Sequence, residues 1–241
     1  MHNFFVKILS IWLILSTLVV TSLNFPNKVA FARLMMGWGL IIFWVIIGGY
    51  LMYKNRDKFR EFFNYLPGKW TTKFLVFSII FAMIEEVITT TMTNLAPLFG
   101  SSSNIAFITG STNYLQVIFH HSVVIFVPLF VGWLWLLKRY NFTPNQVFWL
   151  FGIIGAIAEG MFNDQFGAFT LWIFVYGLMV YLPAYSVPKE RGAREVRFYH
   201  YPLAFIAPIF FFVCLFLIAT AWDLIGLPTI PNFGVDLIPI S

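Results

Sequence analysis

Long uninterrupted apolar runs restrict the fold of this chain more than any other feature. Several of them reach about 18 residues or more, the length that an α-helix needs to cross the hydrocarbon core of a bilayer. Only 10% of the residues are charged, whereas about a quarter are charged in a soluble domain. Because lipid offers the backbone no hydrogen bonds, the chain must satisfy its backbone groups internally. The runs therefore predict an all-α, polytopic membrane helical bundle.

The apolar runs divide the chain into about seven predicted transmembrane helices, which together form a single integral membrane domain covering residues 1–241. These spans lie at residues about 4–22, 32–53, 72–95, 113–137, 146–162, 166–184 and 201–224. The first span has a weakly charged n-region and no A-x-A cleavage site after it. We therefore interpret it as a signal anchor rather than a cleaved signal peptide.

Lysine and arginine residues fall mostly on one side of the predicted spans. With the N-terminus inside, thirteen of the fifteen lie in inner segments, and only Lys28 and Arg33 lie outside. Basic residues mark the cytoplasmic side of a membrane protein, so we predict an N-in, C-out, multi-pass protein of the cell membrane. The net charge of +5 reflects this bias. We expect the lipid bilayer, and not nucleic acid, as its partner.

Two of the connecting segments have features of their own. The segment at about 56–66 places Phe59, Phe62 and Phe63 at helical spacing among basic residues. This spacing predicts an interfacial helix on the inner membrane surface, with a solvated loop as the alternative. The uncharged segment 100–113 is long enough to fold over a cavity as a lid, and it could equally be a plain connector.

A pair of adjacent carboxylates, Glu85 and Glu86, stands in the middle of the third predicted span. Only ten acidic residues occur in the chain, and each charged residue in hydrocarbon costs about 2.5–3.5 kcal/mol on insertion scales. Polar side chains follow the pair at i+4 and i+8. The two rows are Glu85, Thr89 and Thr93, and Glu86, Thr90 and Asn94. Since residues four apart share one side of a helix, this polar stripe must face protein or water.

Other polar residues are predicted at a similar depth. His120 and His121 lie about 10–12 Å from the start of the fourth span at about 1.5 Å per residue. Glu159 lies within a turn of the end of the fifth span, and Asn163 follows it by four residues. We therefore predict a Glu/His/Glu-Asn polar site in the outer half of the bilayer. His120 and His121 point about 100° apart on a helix, so one of the two is expected to face the site.

Two neighbouring carboxylates in a low dielectric do not both ionise easily, so a proton, a His or a cation is expected beside them. A Glu held near neutrality beside a His suits general acid–base chemistry. The same groups suit one divalent metal ion, with Glu86, His121 and Glu159 as candidate ligands. The structural alternative is that each Glu or His is only a hydrogen-bond partner between helices.

The motifs in these spans resemble the CAAX-protease and bacteriocin-processing family of intramembrane endopeptidases. That family carries Glu-Glu-x-x-x-Arg, Phe-x-x-x-His and His-x-x-x-Asn or His-x-x-x-Asp in successive spans. This chain offers Ile84–Thr90, Val117–His121 and Glu159–Asn163 within about residues 72–164, with Thr90 at the family's Arg position and Glu159 at its His position.

The resemblance implies an intramembrane hydrolase of the peptidase type. Glu85 or Glu86, together with His120 or His121, would activate water, and Asn163 would help to bind the developing oxyanion. Two other functions stay open. The chain could be a non-catalytic integral subunit, assembling with other membrane subunits or with further copies of itself. It could also be a metal- or proton-binding carrier or redox protein.

Overall fold

The computed structural model describes residues 2–120, 122–163 and 166–224, and within these residues the regular structure is helical. The α-helices are α1 (His2–Leu23), α2 (Lys28–Leu40), α3 (Gly49–Tyr65), α4 (Trp70–Asn94), α5 (Tyr114–His120), α6 (Ser122–Arg139), α7 (Pro144–Asn163), α8 (Phe169–Tyr185) and α9 (Tyr201–Leu224). A π-helical stretch, Ile41–Gly48, joins α2 to α3. Short 3-10 turns lie at Ala96–Phe99, Phe166–Ala168 and Phe198–His200.

The prediction of an all-α fold is confirmed for the described residues. Four helical stretches there are long and apolar enough to cross a membrane by length and composition. They are Val6–Leu23, Lys28–Tyr65, Trp70–Asn94 and Phe198–Ile218. These helices are compatible with an integral membrane protein, while the number of spans and their orientation stay predictions.

The second of these stretches is one continuous helix of 38 residues, from Lys28 to Tyr65. At about 1.5 Å per residue it is about 57 Å long, well beyond the roughly 30 Å of a hydrocarbon core. The segment 56–66, for which we predicted an interfacial helix, is helical as far as Tyr65 and continues the apolar part without a break. Its position on a membrane surface stays a prediction.

A tight turn at residues 66–69 reverses the chain between α3 and α4. Gly68 has a φ of 101°, in the left-handed region that glycine occupies without steric cost. The Lys73 ammonium donates hydrogen bonds to the carbonyls of Phe63, at 2.7 Å, and of Leu66, at 3.1 Å. A cation on the last carbonyls of a helix is favourable. The turn therefore holds the end of α3 against the start of α4.

Helix α8 is largely enclosed, since 13 of its 17 residues are buried. It packs against α7 and α4, and α7 approaches it closely through small residues. A Cβ added at Gly155 would overlap the ring of Tyr176, and one added at Gly152 would overlap the carbonyl of Ile173. Glycine permits such close helix packing. This packing brings the polar end of α7 towards Tyr176.

Helix α7 starts at a capping box formed by Thr143 and Gln146. The Thr143 hydroxyl accepts the Gln146 backbone N–H at 3.3 Å, and the Gln146 side-chain oxygen accepts the Thr143 backbone N–H at 2.8 Å. Pro144 occupies the first helical position, where its missing N–H costs nothing. The start of α7 is thereby fixed, and Glu159 follows four turns later.

Candidate functional site

The polar stripe of α4 faces the interior of the protein over most of its length. The buried members are Glu85, Glu86, Thr89, Thr90 and Thr93, whereas Asn94 is exposed. Burial of both carboxylates is nearly complete, since Glu85 is 3% and Glu86 is 5% exposed. Hydroxyl and carboxyl groups at this degree of burial require partners from the surrounding elements.

Glu86 accepts hydrogen bonds from two threonine hydroxyls. Thr89, one turn along α4, donates to the Glu86 carboxylate at 3.1 Å. Thr109 donates to the same oxygen at 3.2 Å from the irregular segment 100–113. A residue 23 positions away in sequence therefore reaches the carboxylate pair.

The segment 100–113, which we call the cover segment, folds back along α4. The Thr93 hydroxyl accepts the Ile108 backbone N–H at 3.3 Å, and the Asn94 amide donates to the Thr112 carbonyl at 3.0 Å. Such side-chain partners are what irregular backbone beside membrane helices needs. These contacts fix the segment along α4, and the choice between a lid and a plain connector stays a prediction.

Glu159 of α7 is bound by a tyrosine of α8. The Tyr176 hydroxyl donates a hydrogen bond to the Glu159 carboxylate. Tyr176 is only 7% exposed, and a buried tyrosine hydroxyl generally finds such a partner. Glu159 and Tyr176 thus form a polar pair inside an apolar helix interface.

The two parts of the site converge. Glu85 lies near enough to Glu86 and Glu159 for their charges to interact. The Tyr176 hydroxyl likewise lies near enough to Glu85, Glu86 and Glu159 to interact with their charges. We call Glu85, Glu86, Glu159 and Tyr176 the carboxylate cluster. Among the described residues, none donates a hydrogen bond to the Glu85 carboxyl group.

The remaining predicted site residues fall at the margins of the described structure. His120 is the last residue of α5 and Asn163 is the last residue of α7, and the placement of their side chains is not described. His121 lies outside the described residues. The contributions of these three residues therefore stay predictions.

A metal site is not assembled from the part of the chain that the structure describes. Residues 2–120, 122–163 and 166–224 contain no group of three or more His, Cys, Asp and Glu side chains placed to hold a metal ion. The candidate ligand set of Glu86, His121 and Glu159 includes a residue outside these ranges. The prediction of a divalent metal at that set stays a prediction.

Two members of the site were missed by sequence reasoning. Tyr176 stands in an evenly apolar helix, so no periodic pattern marks it, although a tyrosine in such a helix signals a buried hydroxyl that needs a partner. Thr109 lies in a segment rich in serine and threonine, where nothing distinguishes it from its neighbours.

No protein-family model, no curated protein and no solved structure matches this chain.

Proposed function

We propose that the chain is a multi-pass protein of the cell membrane with seven spans, its N-terminus inside and its C-terminus outside. Each of the seven predicted spans overlaps at least one helix of the described residues, which supports the count. The helices concerned are α1, α2 with α3, α4, α5 and α6, α7, α8 and α9. The orientation is supported by the distribution of basic residues, since thirteen of the fifteen lie in the predicted inner segments.

Single cysteines test this topology. Cys214 is the one cysteine of the sequence, so it is first replaced by serine. In this Cys214→Ser background, Asn104→Cys in the cover segment should react with a membrane-impermeant maleimide in intact cells. Glu190→Cys, between α8 and α9, should react only after lysis. Both positions are exposed, so the reverse pattern of labelling would overturn the orientation.

We propose further that the carboxylate cluster binds protons within the membrane and that the protein is a carrier that conducts protons. The observation that carries this proposal is the environment of Glu85. It is 3% exposed and lies within range of two other carboxylates. Among the described residues it has no ion pair with a lysine or arginine. A charge held there would be desolvated and repelled, so a proton on the cluster is the stable arrangement.

The hydroxyl groups around the cluster support transfer of that proton. A hydroxyl both donates and accepts hydrogen bonds, and Thr89, Thr109 and Tyr176 each contact a carboxylate of the cluster. Thr109 connects Glu86 to the cover segment. Ionisable residues within membrane spans characteristically mark such proton routes.

Proton binding can be measured directly. In pH-difference infrared spectra of the protein in liposomes, Glu85→Gln should abolish a protonated-carboxyl band, and proton uptake driven by a potassium diffusion potential should fall to the level of empty liposomes. Glu61→Gln is the matched control, since Glu61 is an exposed carboxylate of α3. The proposal is overturned if Glu85→Gln retains both the band and the uptake of the unmodified protein.

Intramembrane hydrolysis is the second candidate function. It is favoured by one observation: Glu85 lies within range of the charges of Glu86 and Glu159, and these three residues belong to two of the three motifs in the family resemblance. A buried carboxyl group that keeps its proton can act as a general acid.

Turnover distinguishes the two functions. A quenched fluorescent peptide with one hydrophobic helix, placed in the same liposomes, should be cleaved by the unmodified protein and by Glu61→Gln if the protein is a hydrolase. Glu86→Gln should then be inactive. A carrier takes up protons in these liposomes and leaves the peptide intact.

A further inference from the structure

An open groove with a volume of about 490 Å³ lies on the surface between α3, α4 and α8. Seven of its nine lining side chains are apolar, among them Phe59, Phe77, Ile80 and Leu182. The two polar ones are Asn55 and Lys58, both from α3. The groove therefore offers an apolar wall with a single cation beside it.

Aromatic contacts hold the apolar wall together. The ring of Phe59 lies 5.0 Å from that of Phe77 and 5.7 Å from that of Phe81, measured between centroids. Edge and tilted ring contacts at these distances are favourable. The wall is thus a preformed feature of the α3–α4 hairpin.

The charge of Lys58 is not neutralised within the described residues. The Asp57 carboxylate already accepts hydrogen bonds from Arg60, at 3.1 Å, and from the Tyr185 hydroxyl, at 2.8 Å, and it lies 4.0 Å from Arg56. Lys58 is exposed and takes part in no ion pair in that part of the chain. Its ammonium group is available to an external anion.

The residues around this groove are of the types that are common at a membrane–water interface. Tyr50 and Tyr53, which flank the lining residues Leu51 and Met52 on α3, are 60% and 55% exposed. The Arg56 guanidinium lies 4.4 Å from the centre of the Tyr53 ring. Exposed tyrosines next to basic residues are typical of the head-group region. Basic pockets between helices on the cytoplasmic side bind anionic head groups.

We propose that the groove is a binding site for one anionic phospholipid, with an acyl chain against the apolar wall and the phosphate on Lys58. The apolar lining and the free cation together match an amphiphile with a negative head group. The site rests on the proposal that the chain spans a membrane, and it does not depend on the carboxylate cluster.

Native mass spectrometry of the detergent-purified protein tests the site, with phosphatidylglycerol and phosphatidylcholine as probes. The unmodified protein should retain phosphatidylglycerol about fivefold better than phosphatidylcholine, since one basic residue contributes about that factor at an anionic surface. Lys58→Gln should remove this preference. Lys54→Gln, one turn earlier and outside the groove lining, is the control with the same change of charge and should keep it.

A second variant tests the apolar wall independently. Ile80→Trp should fill the groove and lower retention of both lipids. Ile84→Trp, one turn further along α4, is similarly exposed and outside the lining, so it should leave retention unchanged. Glu85→Gln should also bind lipid normally, which separates this test from that of the proton site.

Three results would overturn the proposal: equal retention of the two lipids by the unmodified protein, equal effects of Lys58→Gln and Lys54→Gln, or normal retention by Ile80→Trp.

Discussion

The Tyr176 hydroxyl donates a hydrogen bond to the Glu159 carboxylate, and this contact joins α8 to α7 inside the carboxylate cluster. The ring of Tyr176 packs over Gly155, one turn before Glu159. The absence of a side chain at Gly155 is therefore what allows the hydroxyl to reach the carboxylate. Gly155 therefore allows both the close packing of α7 on α8 and the hydrogen bond between Tyr176 and Glu159.

Tyr176→Phe should lower the free energy of unfolding by about 1–3 kcal/mol, because it removes the donor to a buried carboxylate and keeps the ring. The measurement is unfolding of the detergent-solubilised protein by a denaturing detergent. Tyr50→Phe is the control, since Tyr50 is 60% exposed. Equal stability of the two variants would contradict the role of the hydrogen bond.

Gly155→Ala should destabilise the α7–α8 interface by about 1–3 kcal/mol, the usual penalty for overpacking. The added Cβ would overlap Cδ2, Cγ and Cβ of Tyr176. A rotation of the Tyr176 side chain does not remove the overlap, because it hardly moves the Cβ atom. Gly37→Ala is the control within a helix, because nothing lies within 4 Å of the added Cβ there. A lowered melting temperature for Gly155→Ala alone is the expected result.

Thr109→Val should loosen the cover segment. The substitution keeps the shape of the side chain and removes the hydrogen bond to Glu86. Losing a hydrogen bond to a charged group should raise the equilibrium constant for opening of the segment about tenfold or more. Hydrogen exchange of residues 100–113 should accelerate by that factor. Thr112→Val is the control, since only the backbone carbonyl of Thr112 bonds to α4, and similar exchange in both variants would refute the anchoring role.

Arg191→Gln should destabilise the connection between α6 and α7. The guanidinium donates to the carbonyls of Leu137 and Pro188, each at 2.7 Å, and of Tyr140, at 3.1 Å. Burial lowers the pKa of Arg191 from its usual value, yet an arginine stays charged at any working pH.

The expected loss is therefore independent of pH and about 1–3 kcal/mol. Arg191→Lys should restore only part of it, because an ammonium group lacks the planar fork. Arg194→Gln changes an exposed neighbour and should leave the unfolding free energy within error.

The apolar runs correctly predicted the all-helical structure of the described residues, because a long apolar segment in lipid must satisfy its backbone groups within a helix. The i, i+4 spacing of Glu85, Thr89 and Thr93 likewise predicted a polar face, and all three residues are buried. Both patterns involve residues close together in sequence, so they can be recognised without knowledge of the tertiary structure.

The continuity of α2 with α3 was not foreseen. Charged residues from Lys54 onwards resemble the end of a span, but charges do not interrupt helical hydrogen bonding, and the helix ends only before Pro67 and Gly68. The partners Tyr176 and Thr109 were also missed, since each meets its carboxylate through a contact between distant parts of the chain.

The continuous helix Lys28–Tyr65 gives the molecule a mechanical link between its two ends. Near one end, Arg33 donates to the carbonyl of Ile105 in the cover segment at 3.1 Å. Towards the other end, Lys58 lines the groove between α3, α4 and α8. Because one continuous helix carries both features, a tilt of this helix would move the groove and the contact with the cover segment together.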